Sequence, residues 1–281
     1  MGRTGHQCLS SENPDLILTS CNRYFIFHKF GNLNFLSIMR VLVLGGNSEI
    51  GFAAAEQFAV KEKAEIILAS RNIKETEKKA RQLVDAYGVS ARAMPFDARD
   101  FDSHRDFYDR MDPKPSVVIQ AFGVLMNQDE CQNDFQKAKK GFDINLLGAV
   151  NILEIIAADF EDRGTGVIIG ISSVAGERGR KSSYMYASSK AGLTTYLDGL
   201  RHRLYGSGAR VITVLPGFVK TKMVAGRKPK FGSTPLPTTG KDIYNAWKKG
   251  KHKIYTGAKM RWIMAIVRNI PEWLVLRNRN I

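Results

Sequence analysis

The sequence predicts a doubly wound α/β fold: a parallel sheet of about seven strands with helices on both faces. Two patterns and one bound predict it. Short apolar runs of buried-strand type alternate with longer amphipathic stretches. The first such run passes directly into a glycine cluster and then a helical stretch. The chain has 281 residues, 44% of them hydrophobic, and open parallel-sheet domains often reach roughly 250 residues, so one large domain fits better than two small ones.

Residues 1–38 show neither helical nor strand periodicity. They are read as an N-terminal extension, disordered or foreign to the fold, with an ordered or membrane-contacting arm as the alternative. At Met39 the character changes at once, and Arg40–Leu44 reads as the first buried strand. Further strands are expected at Glu65–Ala69, Ala91–Phe96, Val117–Ala121, Gly166–Ile171, Arg210–Leu215 and Lys253–Thr256. Helices are expected at Ile50–Val60, Ile73–Tyr87, Phe142–Glu161 and Tyr184–Tyr205. Gly226–Gly240, rich in Pro, Gly, Lys and Thr, reads as a loop. The catalytic domain is thus expected over 39–257, with 258–281 as a basic amphipathic C-terminal segment. Ligands of such sheets bind beyond the carboxyl ends of the strands, where the strand order switches.

The net charge of +15 is unevenly placed. From Lys220 onward 15 Lys or Arg face two acids, Asp242 and Glu272, so the preceding 219 residues net only +2. That points to one region meeting something anionic. Cys8, Cys21 and Cys131 form no CxxC, so no disulfide or zinc framework and no metal site is expected. No stretch reads as a spanning helix. The apolar letters around Tyr24–Phe27 are broken by His28 and Lys29, which argues against a secretory signal. A cytoplasmic protein, peripheral on the inner face of the membrane, is the expectation.

The glycine cluster reads Gly45-Gly46-Asn47-Ser48-Glu49-Ile50-Gly51. Glycines there let the backbone turn tightly and approach a pyrophosphate, and the helix behind offers free N–H groups to it. A tight turn with no ligand is the plain alternative. Ser70-Arg71-Asn72 follows the second strand. An acid at this place would hold a ribose 2′-hydroxyl, whereas Arg71 suits a 2′-phosphate. NADP(H) is therefore expected ahead of NAD(H), unless Arg71 is merely a solvated helix start. Asp97, after the third strand, can accept from an adenine amino group or simply cap a turn. Tyr186 and Lys190 lie four apart on one helical face, and Ser173 precedes Tyr186 by thirteen residues. A phenol is a poor base near neutral pH, and a neighbouring ammonium favours its phenolate. Tyr186 can then exchange a proton with an alcohol or ketone oxygen that the Ser173 hydroxyl holds. This is the equipment of hydride transfer at a carbinol carbon.

These residues, with Asn145, Asp97 and Pro216-Gly217-Phe218-Val219-Lys220-Thr221, make the chain from Met39 to Thr256 resemble the short-chain dehydrogenase/reductase family, which has the Rossmann fold. The resemblance implies that Tyr186 is the acid/base, Ser173 the orienting group and Lys190 a ribose ligand. It also implies that Asn145 holds a relay water and that Pro216, Gly217, Val219 and Thr221 contact the nicotinamide half. Ala121, Phe122 and Gly123 stand where the family's usual motif after the fourth strand is Asn-Asn-Ala-Gly. Glu49 stands where the family has a glycine, and a carboxylate there repels a pyrophosphate unless it points away along the helix. With Ser172–Arg178 and the ending Arg261-Trp262-Ile263-Met264, these departures resemble the branch of the decaprenylphosphoryl-2-keto-erythro-pentose reductase. That branch implies a keto-sugar carried on a polyprenyl phosphate. Family resemblance also implies a homo-oligomer paired through the two long helices.

In the loop before Tyr186, Arg178, Arg180 and Lys181 are candidate clamps for a substrate phosphate, or a solvated loop with a cation paired to Glu177. In the tail, Met260, Ile263, Met264, Val267 and Ile270 share one helical face. Flanked by Trp262 and Trp273 and ringed by cations, that face suits a membrane interface, or else caps the domain or pairs subunits. No nucleic-acid recognition module is visible. Three functions compete: a reductase of a lipid-linked keto substrate, a reductase of ketoacyl or other keto-lipids, and a non-catalytic dinucleotide sensor.

Overall fold

A computed structural model describes residues 38–226 and 232–277. The expectation for the N-terminal extension falls, up to residue 37, outside the described residues. Seven parallel strands form one sheet: β1 (Arg40–Leu44), β2 (Glu65–Ser70), β3 (Ala91–Pro95), β4 (Val117–Gln120), β5 (Gly166–Ile171), β6 (Ala209–Leu215) and β7 (Lys253–Tyr255). Their order is β3-β2-β1-β4-β5-β6-β7, so the switch in direction lies between β1 and β4. The seven strands coincide with the expected ones to within one residue at each end. For the inner strands the cause is double-sided burial. Val41 and Val43 face one core, Leu42 and Leu44 the other, and all four are 0% exposed. Parallel strands covered on both faces read as unbroken apolar runs.

On the first face lie α1 (Glu49–Glu62) and α2 (Ile73–Tyr87). Ser48 caps α1 by accepting from the Gly51 amide, and Asn72 caps α2 by accepting from Glu75. On the second face lie α3 (Ser103–Asp109) and, after α4 (Gln128–Asn133) and α5 (Phe135–Phe142), the long α6 (Gly148–Asp162). A π-type turn, Asp143–Leu147, joins α5 to α6. By length and composition the continuous helix Phe135–Asp162 could cross a membrane, a match not expected from the sequence. Its apolar residues Ile152, Leu153, Ile156 and Phe160 are instead wholly buried in the domain core. Completing the second face, α7 (Tyr184–Arg203) packs Leu193 and Leu197 under β5 and β6.

The segment expected as a loop to Gly240 is helical from Leu236, where α8 (Leu236–Lys248) begins. Pro237 is tolerated in its first turn, where the missing N–H has no intrahelical partner. Gly240 is not a breaker here. A Cβ on it would stand 2.3 Å from the Ala53 carbonyl oxygen, so it lets α8 settle against α1. The C-terminal segment forms α9 (Met260–Asn269) and α10 (Glu272–Arg277). Met260, Met264 and Val267 of α9 are buried against Val174, Tyr255 and Ile263. The face read from the sequence as membrane-facing is thus largely the face docked on the domain. Trp262, Ile266, Trp273 and Leu276 are the tail's prominently exposed apolar residues, each at least 62% exposed.

Candidate active site

At the end of β1 the chain turns on Gly45 at φ +95°, and a Cβ there would lie 2.5 Å from the Phe122 nitrogen. A Cβ on Gly51 would lie 2.7 Å from that of Ala121. Any side chain at either place would lift this loop off the sheet. The Gly45 and Gly46 amides both donate to the Ala69 carbonyl at 2.8 Å, tying the loop to the end of β2. The Asn47 side chain donates to Ser70 Oγ at 2.8 Å and to the Asn72 carbonyl at 3.2 Å, while its Oδ1 is buried with no partner. Arg71 is exposed beside them. Lys79 reaches in from α2, donating to the Asn47 carbonyl at 3.3 Å and lying 4.8 Å over the Phe52 ring. Burial lowers the pKa of this ammonium, against the pull of Glu75 and Glu49. Glu49 does not point along its helix. Its Oε2 accepts from the Lys222 amide at 2.6 Å, across to the turn Lys222–Val224 that follows β6. Asp97 accepts from the Arg99 amide at 3.0 Å, as a turn residue does.

The second half of the site lies at the ends of β4 and β5 and on α7. Ser173 follows β5, and its Oγ accepts from the Ala175 amide at 3.1 Å. Burial raises the Tyr186 phenol pKa above its ordinary value, and the Ser173 hydroxyl pulls it back down. Lys190 is buried, with Nζ donating to the Ile171 carbonyl at 3.0 Å. Loss of hydration brings its pKa down to about 8. Ser172 fixes this geometry: its Oγ bonds the Lys190 carbonyl at 2.9 Å and Thr194 Oγ1 at 2.7 Å, pinning α7 to β5. A Cβ on Gly176 would stand 2.6 Å from the Ala191 nitrogen, so only glycine lets the turn Val174–Glu177 press onto α7.

Asn145 lies in the π-type turn, fully buried. Its Oδ1 accepts from the Val124 amide at 2.7 Å, and its Nδ2 donates to the Val124 carbonyl at 3.0 Å and to Ser189 Oγ at 3.1 Å. Both side-chain N–H groups are therefore occupied. The side chain thus braces the loop after β4 against α7.

These elements enclose a cavity of about 510 Å³, within the usual range for small-molecule sites. Ser48, Ile50, Ala121, Phe122, Gly123, Ser173, Tyr186, Lys190, Pro216, Gly217, Val219 and Thr221 all line it. Gly45, Asn47, Glu49, Gly51, Arg71, Asp97 and Asn145 do not. The loop cations divide. Arg180 lines the cavity, whereas Arg178 pairs with Glu272 of α10 at 2.8 Å and donates to the Arg268 carbonyl at 3.3 Å. Glu177 is paired with neither. It accepts from the Tyr255 hydroxyl at 2.7 Å and lies 3.7 Å from Arg268. Sequence reasoning missed Lys79, Ser172, and the cavity wall made by Met223, Val224, Met260 and Met264. Only the wall residues on α9 left a signal, their shared helical face.

A doubly wound sheet with a glycine-rich first turn, and a Ser, Tyr and Lys beyond the carboxyl end of β5 that share one cavity with it, defines a dinucleotide-fold oxidoreductase. Residues 39–231 match the short chain dehydrogenase family, and the chain belongs to it. It is 32% identical to an uncharacterised oxidoreductase of Streptomyces coelicolor, over 84% of this chain and 94% of that one. It is 28% identical to a ketoacyl reductase of a Nostoc species, over 73% of this chain and 72% of that one. Among solved structures it resembles a short-chain dehydrogenase from Sphingobium yanoikuyae in complex with NADPH, with TM-score 0.72, 22% identity, and 84% and 97% of the two chains covered.

Proposed function

We propose that the chain is an NADP(H)-dependent oxidoreductase interconverting a ketone and a secondary alcohol. The observation that carries this reading is the convergence of Ser173, Tyr186 and Lys190 on one cavity that also contains the Pro216–Thr221 segment and the start of α1. The site fits a dinucleotide. Its loop leaves no room for a Cβ at Gly45, and Asn47 Oδ1 beside it lacks a partner. Exposed Arg71, with Lys79 nearby, favours the 2′-phosphorylated form, as in the Sphingobium yanoikuyae structure with NADPH. When bound, the cofactor supplies a hydride. Tyr186 gives the carbonyl oxygen its proton, Ser173 holds that oxygen, and the Lys190 ammonium stabilises the phenolate left behind. The Glu49 carboxylate is held by the Lys222 amide with Lys79 close by, which offsets its repulsion of a pyrophosphate.

The apolar wall formed by α9 suits a substrate with a hydrocarbon part. A polyprenyl-phosphate-linked keto-sugar follows from the motif resemblance, and a ketoacyl substrate from the ketoacyl reductase of Nostoc. The exposed Trp262, Ile266, Trp273 and Leu276, amid basic residues, would rest on an anionic membrane that holds such substrates. NADPH oxidation with a panel of both substrate types tests the reading. Turnover of one type selects the substrate. Tight NADPH binding with no turnover of any ketone would favour the sensor instead.

A further inference from the structure

We propose that Arg180 is the anion-binding residue of the substrate site, so that the substrate carries a phosphoryl or carboxylate group beside its keto function. This rests on the reductase reading and narrows its substrate. Among the described residues lining the cavity, Arg180 and Lys190 are the charged ones, and no Asp or Glu joins them. A cavity with cations and no acid concentrates anions. Lys190 already donates to the Ile171 carbonyl deep beside Tyr186.

Arg180 is differently placed. It stands in the turn before α7, closed by the Ser183 amide donating to its carbonyl at 3.1 Å. Its Nε is out of contact with water and has no hydrogen-bond acceptor. Neighbouring cations are already paired, Arg178 with Glu272 and Arg268 with Glu177. A buried donor without an acceptor is costly unless a ligand supplies one. A guanidinium fork matches a phosphoryl or carboxylate group with two parallel hydrogen bonds. In the same lining, Met223, Val224, Met260 and Met264 offer apolar surface for the rest of an amphiphilic molecule.

The test uses three ketones of one chain length, ending in a neutral, a carboxylate or a phosphoryl group, with wild type, Arg180→Gln and Arg180→Lys. Expected for wild type is a higher kcat/KM on the anionic ketones. Arg180→Gln should cut the anionic-to-neutral ratio by about ten- to a hundredfold, mainly through KM, and Arg180→Lys should cut it less. The larger loss identifies which anion the site takes. NADPH affinity, followed by fluorescence, should be the same in all three proteins and shows that the variants are folded. An unchanged ratio in Arg180→Gln overturns the proposal. If no ketone is reduced, the reductase reading fails separately. Calorimetric binding of the anionic alcohols then decides the question for Arg180, with weaker binding to Arg180→Gln supporting it and equal binding overturning it.

Discussion

At Lys190 burial and chemistry pull against each other. Desolvation brings this ammonium down to about 8 from an ordinary 10.5. Its folded pKa lies below the unfolded one, so the charged form costs stability below pH 8, and that cost is relieved as pH climbs toward 10.5. The proposed role needs the charge. NADPH affinity should therefore weaken as pH rises through about 8. Lys190→Met should bind weakly throughout with no inflection near that pH, and a flat titration of wild type would contradict the assignment. Arg71 makes a second prediction. Arg71→Ala should weaken NADPH by about tenfold or more and NADH far less, because only NADPH offers the extra phosphate. Equal losses would remove Arg71 from the cofactor site. Motif spacing makes Ser173, Tyr186 and Lys190, which the fold brings to one cavity, legible in the sequence. Lys79 and Ser172 were not legible, because each acts on the site from another element and carries no spacing signal. The occupied amide of Asn145 was hidden for the same reason, since Val124 and Ser189 reach it only in the fold.

On the scale of elements, α9 is two-sided. Met264 is 1% exposed and lines the cavity from within, while Trp262 and Ile266 stand outward at 70% and 68% exposed. The two sides should fail differently. Met264→Ala should destabilise the fold by about 2–5 kcal/mol, seen as a lowered Tm. Replacing both Trp262 and Ile266 by Ser should leave Tm nearly unchanged and release the protein from vesicles of anionic lipid. No vesicle binding by wild type would end the membrane proposal and leave the inner face intact. Periodicity revealed that α9 has an apolar face, but not what covers it. Coverage depends on Val174, remote in sequence, and on Tyr255 at the end of β7. The inner strands β1, β2, β4, β5 and β6 were legible because polar residues bound their largely apolar runs. The start of α8 was not, because Pro235, Pro237 and Gly240 resemble loop residues unless Ala53 is seen against Gly240.

Across the whole molecule, charge and function are divided. The segment from Lys220 onward carries a net +13 and supplies both the apolar wall of the cavity and the exposed tail. The family match begins at residue 39, where the sequence changes character. A chain beginning at Met39 should therefore fold and turn over like the full one, and a lower Tm or rate would assign the preceding residues a part in the fold. In the proposed reduction Tyr186 passes the proton to the carbonyl oxygen at this cavity. The most direct test of that role compares wild type with Tyr186→Phe in steady-state NADPH oxidation on a reducible ketone, with NADPH affinity measured in parallel. Expected is a fall in kcat of about a hundred- to ten-thousandfold with NADPH affinity nearly unchanged. A variant that keeps more than about a tenth of the wild-type rate would contradict that role.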